Sequence, residues 1–543
     1  MQNAAERRET PAGEEFDYVV VGGGSAGCIV AAELARDPAT RVLLLEGGDA
    51  ADANPETLLA DGYKDAFVNE RLMYERFSVP QAACGGRRWF LGSGRGMGGS
   101  GAINAMVYTR GAREDYAEWP VGWRWDDVVP AFEALERVLG VRRREPTRFT
   151  ESCVAAAVEA GFRRKEDLND GDLSGVLGYE WMNFDGRERR SSYVSFLRAQ
   201  GARPNLEVWT GTRALRVLFR ERRAVGVEYR RRLHDGTLRV GRVAVRGEVV
   251  CTAGALETPR LLMLSGVGPG AWLRAAGVPT VADAPAVGRN LHDHPNVQLF
   301  FLGKRRVDCL YPELYGFHRA GAGRHLCAGQ ADSCYVFYPG PSSFKEGVVK
   351  LLPAMVLPER LYALRPLVAG MRGALAAVFG SAPARAVVRH LWGIVVILGK
   401  PRSRGTLRLT SPDPEAPAAI DPCYFSHRDD LETVVRGVGL ARRMAATASA
   451  RAMGAFELMP GSRVRDDAAV AEFVKHNAMT TYHYAGTCAL GDDGAVDGAL
   501  RLRGVDGVRV ADASVIPTTP VAALNAPSMM IGLRAAALVR QGR

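Results

Sequence analysis

Apolar positions near the start of the chain fall in unbroken runs rather than in alternation. Phe16-Asp17-Tyr18-Val19-Val20-Val21 and Arg41-Val42-Leu43-Leu44-Leu45 read as strands covered on both faces, with a buried helix over Cys28–Ala35 between them. The chain then reads as irregular to about residue 90. Amphipathic spacing predicts a Trp-rich helix from Pro120 to about Gly140 and another from Glu151 to Gly161. Between 205 and 251 the period becomes two: Leu206–Thr210, Ala214–Phe219, Ala224–Tyr229 and Val240–Val250 are predicted strands, with His234-Asp235-Gly236-Thr237 as a hairpin turn. Thr258 ahead of Pro259 predicts an N-cap with proline at the first helical position. Residues 300–475 mix strands and helices with Pro-rich loops, and the chain closes with a short strand over Val508–Ala513 and an apolar helix over Ser528–Val539.

The step between the first strand and helix carries chemistry. Gly22, Gly24 and Gly27 occupy the three glycine places of GxGxxG, with Ser25 and Ala26 between them. In a strand-turn-helix context the first glycine permits the tight turn, the second lets backbone approach a pyrophosphate, and the third lets helix pack on strand. Glu46, at the end of the second strand, is placed to accept hydrogen bonds from a ribose, which favours FAD or NAD over NADP. A second glycine-rich stretch, Leu91 to Met106, has too many glycines for a helix or strand interior. Backbone passing flush against a flat ring system would use them, with free N–H groups facing a ligand.

Composition narrows the partners. A 543-residue chain that is 47% hydrophobic has room for two or three domains. The formal charge of +10 comes from 63 Arg and seven Lys spread among 60 acids, so no basic stripe marks a nucleic-acid partner. The runs Arg142–Arg144, Arg187–Arg190 and Arg230–Arg232 read as solvated faces or loop ends. Nine Cys without CxxC spacing or a companion His cluster argue against a disulfide framework or zinc site and suit a reducing cytoplasm. Met1 to Glu15 is polar, reads as a disordered lead-in and lacks a secretory apolar core. Residues 361–399 are apolar but cut by Arg365, Arg372, Arg385 and Arg389, and the longest charge-free pieces, such as Gly373–Ala384, fall short of the ~20 residues a bilayer requires. A packed helical region of the second domain is the favoured reading there, with peripheral contact to anionic lipid as its alternative.

Five segments, in order, resemble the glucose-methanol-choline oxidoreductases. These are Gly94–Asn104, Gly254–Gly268, Val287-Gly288-Arg289-Asn290-Leu291-His292-Asp293-His294-Pro295, Tyr482–Cys488 and Asn525-Ala526-Pro527. The resemblance implies an α/β fold: a Rossmann-like FAD-binding domain over 14–154, 205–298 and 485–543, with a discontinuous α+β substrate domain over 155–204 and 299–484 built on an antiparallel sheet. It implies that FAD is held by Gly22, Gly24, Ser25, Ala26, Gly27, Glu46, Arg95, Met97, Gly98, Gly99, Ser100, Asn104, Ala105, Met106, Val217, Ala253, Gly254, Asp512, Ala513, Asn525, Ala526 and Pro527. It further implies oxidation of a primary alcohol to an aldehyde by hydride transfer to flavin N5, with His483 as base or alkoxide stabiliser and Asn525 holding the alcohol oxygen. An imidazole near pH 6.5 suits that task.

The chain departs from the family pattern in two places. Ile103 stands where some relatives carry the His that tethers flavin, so non-covalent FAD is expected, and Ser100-Gly101-Ala102 holds fewer hydroxyls than usual. Tyr311, Tyr315, Phe317, Tyr335, Phe337 and Tyr338 supply aromatics for a choline-like cage or equally for an aliphatic or aryl alcohol pocket. The electron acceptor (oxygen, a quinone or a dye-like carrier) is left open. Non-redox relatives, a hydroxynitrile lyase or a fatty-acid photodecarboxylase, are the alternative. The latter is disfavoured because no Cys lies between Ser343 and Pro422, and Lys400 stands near where an Arg is expected.

Overall fold

The computed structural model describes residues 14–233, 235–321 and 326–542. The expected lead-in falls mostly outside these residues, as does His234 of the hairpin turn. Glu15, placed in that lead-in, opens the first strand, β1 (Glu15–Val21). β1 runs into α1 (Gly27–Leu34) and then β2 (Val42–Leu45), and every residue of α1 and β2 is buried. This is the two-sided burial that unbroken apolar runs require.

The first sheet has the order Leu206–Trp209, β2, β1, Leu238–Cys251, Arg223–Arg232, Thr212–Arg220, with Val508–Val510 also paired to Leu238–Cys251. Pairing is parallel around β1 and antiparallel through the hairpins. The long strand serves both halves: Gly241 to Ala244 pair with the hairpin, while Val249 to Cys251 lie between β1 and the C-terminal strand.

A second sheet follows the order Phe456–Met459, Pro295–Leu302, Leu391–Leu398, Ser333–Pro339, Leu314–His318, Val176–Tyr179, Arg163–Arg164, with Met479–Thr480 also on Pro295–Leu302. It is antiparallel except for its last pair. The strand Pro295–Leu302 begins ahead of the boundary at 298 drawn from the sequence.

Four local expectations change. Phe90–Gly94 is a strand, paired antiparallel to Met73–Phe77 within the stretch read as irregular. Its glycine serves packing: a Cβ on Gly94 would stand 2.3 Å from the backbone of Gly99. The helix after residue 257 begins at Thr258 itself, because the Thr258 hydroxyl is turned to Asp512 (2.6 Å) instead of capping. The Trp-rich helix starts at Trp125. Residues 361–399 do not form one packed helical region: helices Arg365–Gly380 and Ala382–Val388 stand mostly in solvent, and Leu391–Leu398 is a central strand of the second sheet.

Candidate active site

A cavity of about 920 Å³ lies between the two sheets, at the upper end of ordinary ligand sites. Gly22, Gly24, Ser25, Ala26, Glu46, Gly99, Ser100, Asn104, Ala105, Ala253, Gly254, Asp512, Ala513, Asn525 and His483 all line it. Sequence positions spread over five hundred residues are thus brought to one wall. The remaining predicted residues stand behind it. Gly27 packs where a Cβ would sit 1.8 Å from the Gly22 carbonyl oxygen, and Met97 backs Gly23. The Gly98 N–H donates to the Gly23 carbonyl (2.8 Å), and the Arg95 guanidinium lies over the Tyr74 ring. Val217 donates its N–H to Ser265 Oγ (2.8 Å), and Met106, Ala526 and Pro527 are buried in packing.

One end of the cavity suits a dinucleotide. Gly22 takes a φ of 113°, the turn that releases the chain from β1 toward α1. Glu46 is gripped by backbone: Gly23 N–H donates to Oε2 (2.9 Å), and Gly48 and Gly96 N–H donate to Oε1 (2.7 and 2.9 Å). Asp512 accepts from the Gly254 N–H (2.8 Å), the Ser514 N–H (2.8 Å) and the Thr258 hydroxyl, while burial raises its pKa above the usual carboxylate value. A Cβ on Gly254 would meet nothing within 4 Å, so the cavity comes up to bare backbone there. Asn525 Oδ1 accepts from Ser25 Oγ (3.1 Å), and its Nδ2 is buried without a partner among the described residues. A buried orphan donor beside glycine backbone at a helix start fits an acceptor-rich ligand such as a pyrophosphate or ribityl chain.

The other end is built where two distant strands meet. His292 pairs with Ala485 and Pro295 with Thr480, antiparallel. Three steps on one strand are thus matched by five on the other, and the surplus is taken up around Tyr482, which has a φ of 64°. This bulge brings the His483 ring edge-on to His294, Nδ1 to Nδ1 at 3.0 Å. Asp293 fixes the backbone beneath, its Oδ1 accepting from His483 N–H (2.8 Å) and its Oδ2 from the Tyr424 and Thr480 hydroxyls. Burial pushes the His483 pKa from 6.5 down to about 4, and burial holds His294 well below its ordinary value too. Both imidazoles are therefore neutral at pH 7, and only one of the facing Nδ1 atoms carries hydrogen.

Asn525 does not join this pair. Its carboxamide is turned to Ser25, with the dinucleotide end. The ring partner of His483 is His294 instead, and Asn296 and Gln298, alternate residues of the strand Pro295–Leu302, face the cavity beside it. Asn296 donates to Thr481 Oγ1 (2.9 Å), and its Oδ1 is buried without a partner among the described residues. Period-two spacing marks these residues in the sequence, but no composition signal distinguishes that strand from others.

Arg189 belongs to a charge run that the sequence predicts to be solvated, and the structure turns it inward. It is fully buried, and its guanidinium donates to the Gly101 carbonyl (3.1 Å), Asn104 Oδ1 (2.8 Å) and the Asn104 carbonyl (2.7 Å). It clamps the second glycine-rich stretch from behind. Of the aromatics singled out, Tyr315 and Tyr338 face the cavity. Phe317, Tyr335 and Phe337 pack in the core, and Tyr311 lies under Arg144. Lys400 is turned away to Asp115 and Glu118.

Family models described as GMC oxidoreductase match residues 16–296 and 401–532. The chain is 32% identical to an alcohol dehydrogenase [acceptor] of Pseudomonas putida, covering 96% of this chain and 95% of that protein. It is 33% identical to an oxygen-dependent choline dehydrogenase of Burkholderia pseudomallei, covering 97% and 94%. Among solved structures, pyridoxine 4-oxidase from Mesorbium loti superposes with a TM-score of 0.82 at 26% identity, covering 97% of this chain and 99% of that one. With both family segments present, and relatives of similar length matched almost end to end, the chain belongs to the GMC oxidoreductase family.

Proposed function

We propose that this enzyme oxidises the CH–OH group of a neutral alcohol with an apolar tail, using non-covalently bound FAD. The observation that carries the reading is a neutral, buried His483 on the cavity wall whose second nitrogen is engaged by His294. Bound FAD supplies the hydride acceptor. The protein's part is to hold it and to take the hydroxyl proton. Asn525 Nδ2, the Gly24 and Gly254 backbone and the start of α1 would hold the pyrophosphate and ribityl region, with Glu46 at the ribose.

For His483 to act as base, its Nδ1–H must donate to His294 Nδ1, leaving the lone pair on Nε2 for the substrate hydroxyl. Asn296 Nδ2 is already spent on the Thr480 carbonyl and Thr481 Oγ1, so its free Oδ1 can accept only from a second polar group of the substrate, and it does not replace Asn525 as a donor to the alcohol oxygen. Ile103 lines the glycine-rich wall and offers no nucleophile, which supports a flavin without a covalent tether.

The substrate class follows from where the charges lie. The carboxylates on the cavity wall, among the described residues, are Glu46, Glu257 and Asp512. All three lie with the dinucleotide loops, and Glu257 is already paired with Arg76 (2.7 Å) and Arg213 (3.4 Å). Around His294 the wall is Phe300, Tyr315, Val336, Tyr338, Val395 and Ile397. A quaternary ammonium would lose hydration there without gaining a carboxylate partner. The alcohol dehydrogenase relative fits this wall better than the choline dehydrogenase relative.

The test is anaerobic flavin reduction by benzyl, long-chain and choline alcohols. Neutral alcohols should exceed choline by more than tenfold in kcat/KM; choline as the best substrate would sink the reading. Replacing His483 by Ala should slow reduction by roughly 10²- to 10⁴-fold while the bound flavin keeps its colour.

A further inference from the structure

The helix Gly340–Val356 and the helices Glu359–Tyr362, Arg365–Gly380 and Ala382–Val388 form an arm whose inner side mixes a small apolar cluster (Ala354, Tyr362, Val368) with ion pairs and whose outer side is largely apolar. Arg365–Gly380 buries only Val368 and Arg372, and Ala382–Val388 buries nothing. Arg372 and Lys350 point inward, paired with Glu75 at 3.0 and 2.6 Å, and the Tyr362 hydroxyl donates to the same carboxylate. Leucines and valines point outward. Leu361, Leu364, Leu367, Val378 and Val387 are between 41% (Leu367) and 59% (Val378) exposed. Of the 19 large apolar side chains exposed among the described residues, eight lie between 352 and 387. So many exposed leucines and valines gathered on one part of the chain mark an interaction surface.

We propose that the arm seats on an anionic lipid surface. Three observations choose this occupant. From Arg360 to Arg389 the chain has five Arg and no acid, against a mixed surface elsewhere, and Arg360, Arg385 and Arg389 are exposed. No single helix among the described residues is long and apolar enough to cross a bilayer; Arg365–Gly380 and Ala382–Val388 reach that length only together, across a 75° bend and with three Arg along them, which favours an arm lying on a membrane. Leu352, Met355 and Leu458 line the active-site cavity and are exposed as well, so the cavity opens beside the patch. Lipid seated there would face the entrance used by an apolar alcohol, which ties this inference to the substrate class proposed above.

Flotation of the flavin-loaded full chain with vesicles tests it without reference to turnover, so a failure here leaves the alcohol reading standing, and the reverse. Vesicles of equal phosphatidylglycerol and phosphatidylcholine should bind at least tenfold more protein than pure phosphatidylcholine, and high salt should reduce the difference. The combined substitution Leu364→Glu, Leu367→Glu, Val378→Glu should lower binding at least tenfold with flavin content and turnover of a short, water-soluble alcohol unchanged. Arg360→Gln with Arg385→Gln and Arg389→Gln should remove the preference for anionic vesicles. Wild-type protein that stays unbound, or a Glu-substituted arm that floats as well as wild type, would overturn the proposal. So would a dimer in sedimentation velocity that the Glu substitutions dissolve while vesicles capture nothing, which would assign the patch to a second copy.

Discussion

His294 decides which nitrogen of His483 carries the proton, and so whether the cavity holds a base or a donor. The pairing is a second nitrogen fixing the tautomer of the first, a role that for partners of metal-bound His is worth about 10- to 100-fold in activity. Replacing His294 by Leu should lower kcat by that amount with KM and flavin spectrum little changed. His294→Asn, whose carboxamide oxygen can still accept from Nδ1–H, should recover part of it. A second expectation concerns acid. Because burial pushes the His483 pKa to about 4, the base stays deprotonated well below neutrality. The rate should be full above the folded pKa and fall only as pH drops through it, so kcat/KM is expected to be flat from pH 8 to 6, with its acidic limb near pH 4. A limb near 6.5 would show a solvated imidazole instead. None of this was legible from His483 alone: the Tyr-His-Tyr run marked the residue, but its partner stands 189 positions earlier, and only the fold sets them face to face.

At the level of elements, local signals were read well and crossings poorly. The β1–α1–β2 unit was visible because burial, glycine spacing and the terminal Glu46 sit within about thirty residues of sequence. The strand Phe90–Gly94 is hidden because Gly94 answers to Gly99 across a turn and Gly92 to the Met73 side chain, packing demands that composition reports as loop. Arg189 is hidden for the opposite reason: a charge run signals solvent, yet this guanidinium bonds both Gly101 and Asn104 from beneath. Arg189→Ala would strand those carbonyls in a dry interior, at a cost of roughly 3–5 kcal/mol. Thermal unfolding should show a drop of several degrees, and flavin should be lost on gel filtration, because the ring-facing loop loses its clamp.

Across the whole molecule, the buried carboxyls set how stability follows pH. Glu180, between the strands Val176–Tyr179 and Trp181–Met182, is fully buried; it accepts from Thr109 Oγ1 (2.7 Å), and burial lifts its pKa to about 8. A carboxyl whose folded pKa lies above its unfolded value stabilises most below the unfolded value, and that contribution is lost as pH rises through the folded pKa. Between pH 4.5 and 8 the loss is on the order of 4 kcal/mol. Glu180→Gln should therefore raise the Tm relative to wild type at pH 8 and change it little at pH 5, as read by scanning fluorimetry.

A Rossmann-like sheet beside a second, antiparallel one is what the family resemblance implies, and both sheets are present. The depth of the cavity and the identity of its apolar end were not legible, since they depend on which face of each strand turns inward.

The surplus around Tyr482 leaves His483 dependent on chain length as well as on sequence. Strand pairing stops at Thr480 and resumes at Ala485, so deleting one residue between Thr480 and His483 would remove half of the two-residue surplus and pull the imidazole off His294. Such a deletion would leave strand order, core and flavin cradle in place. The product would be a coloured protein without a proton acceptor, in which every catalytic side chain survives and only the count is wrong.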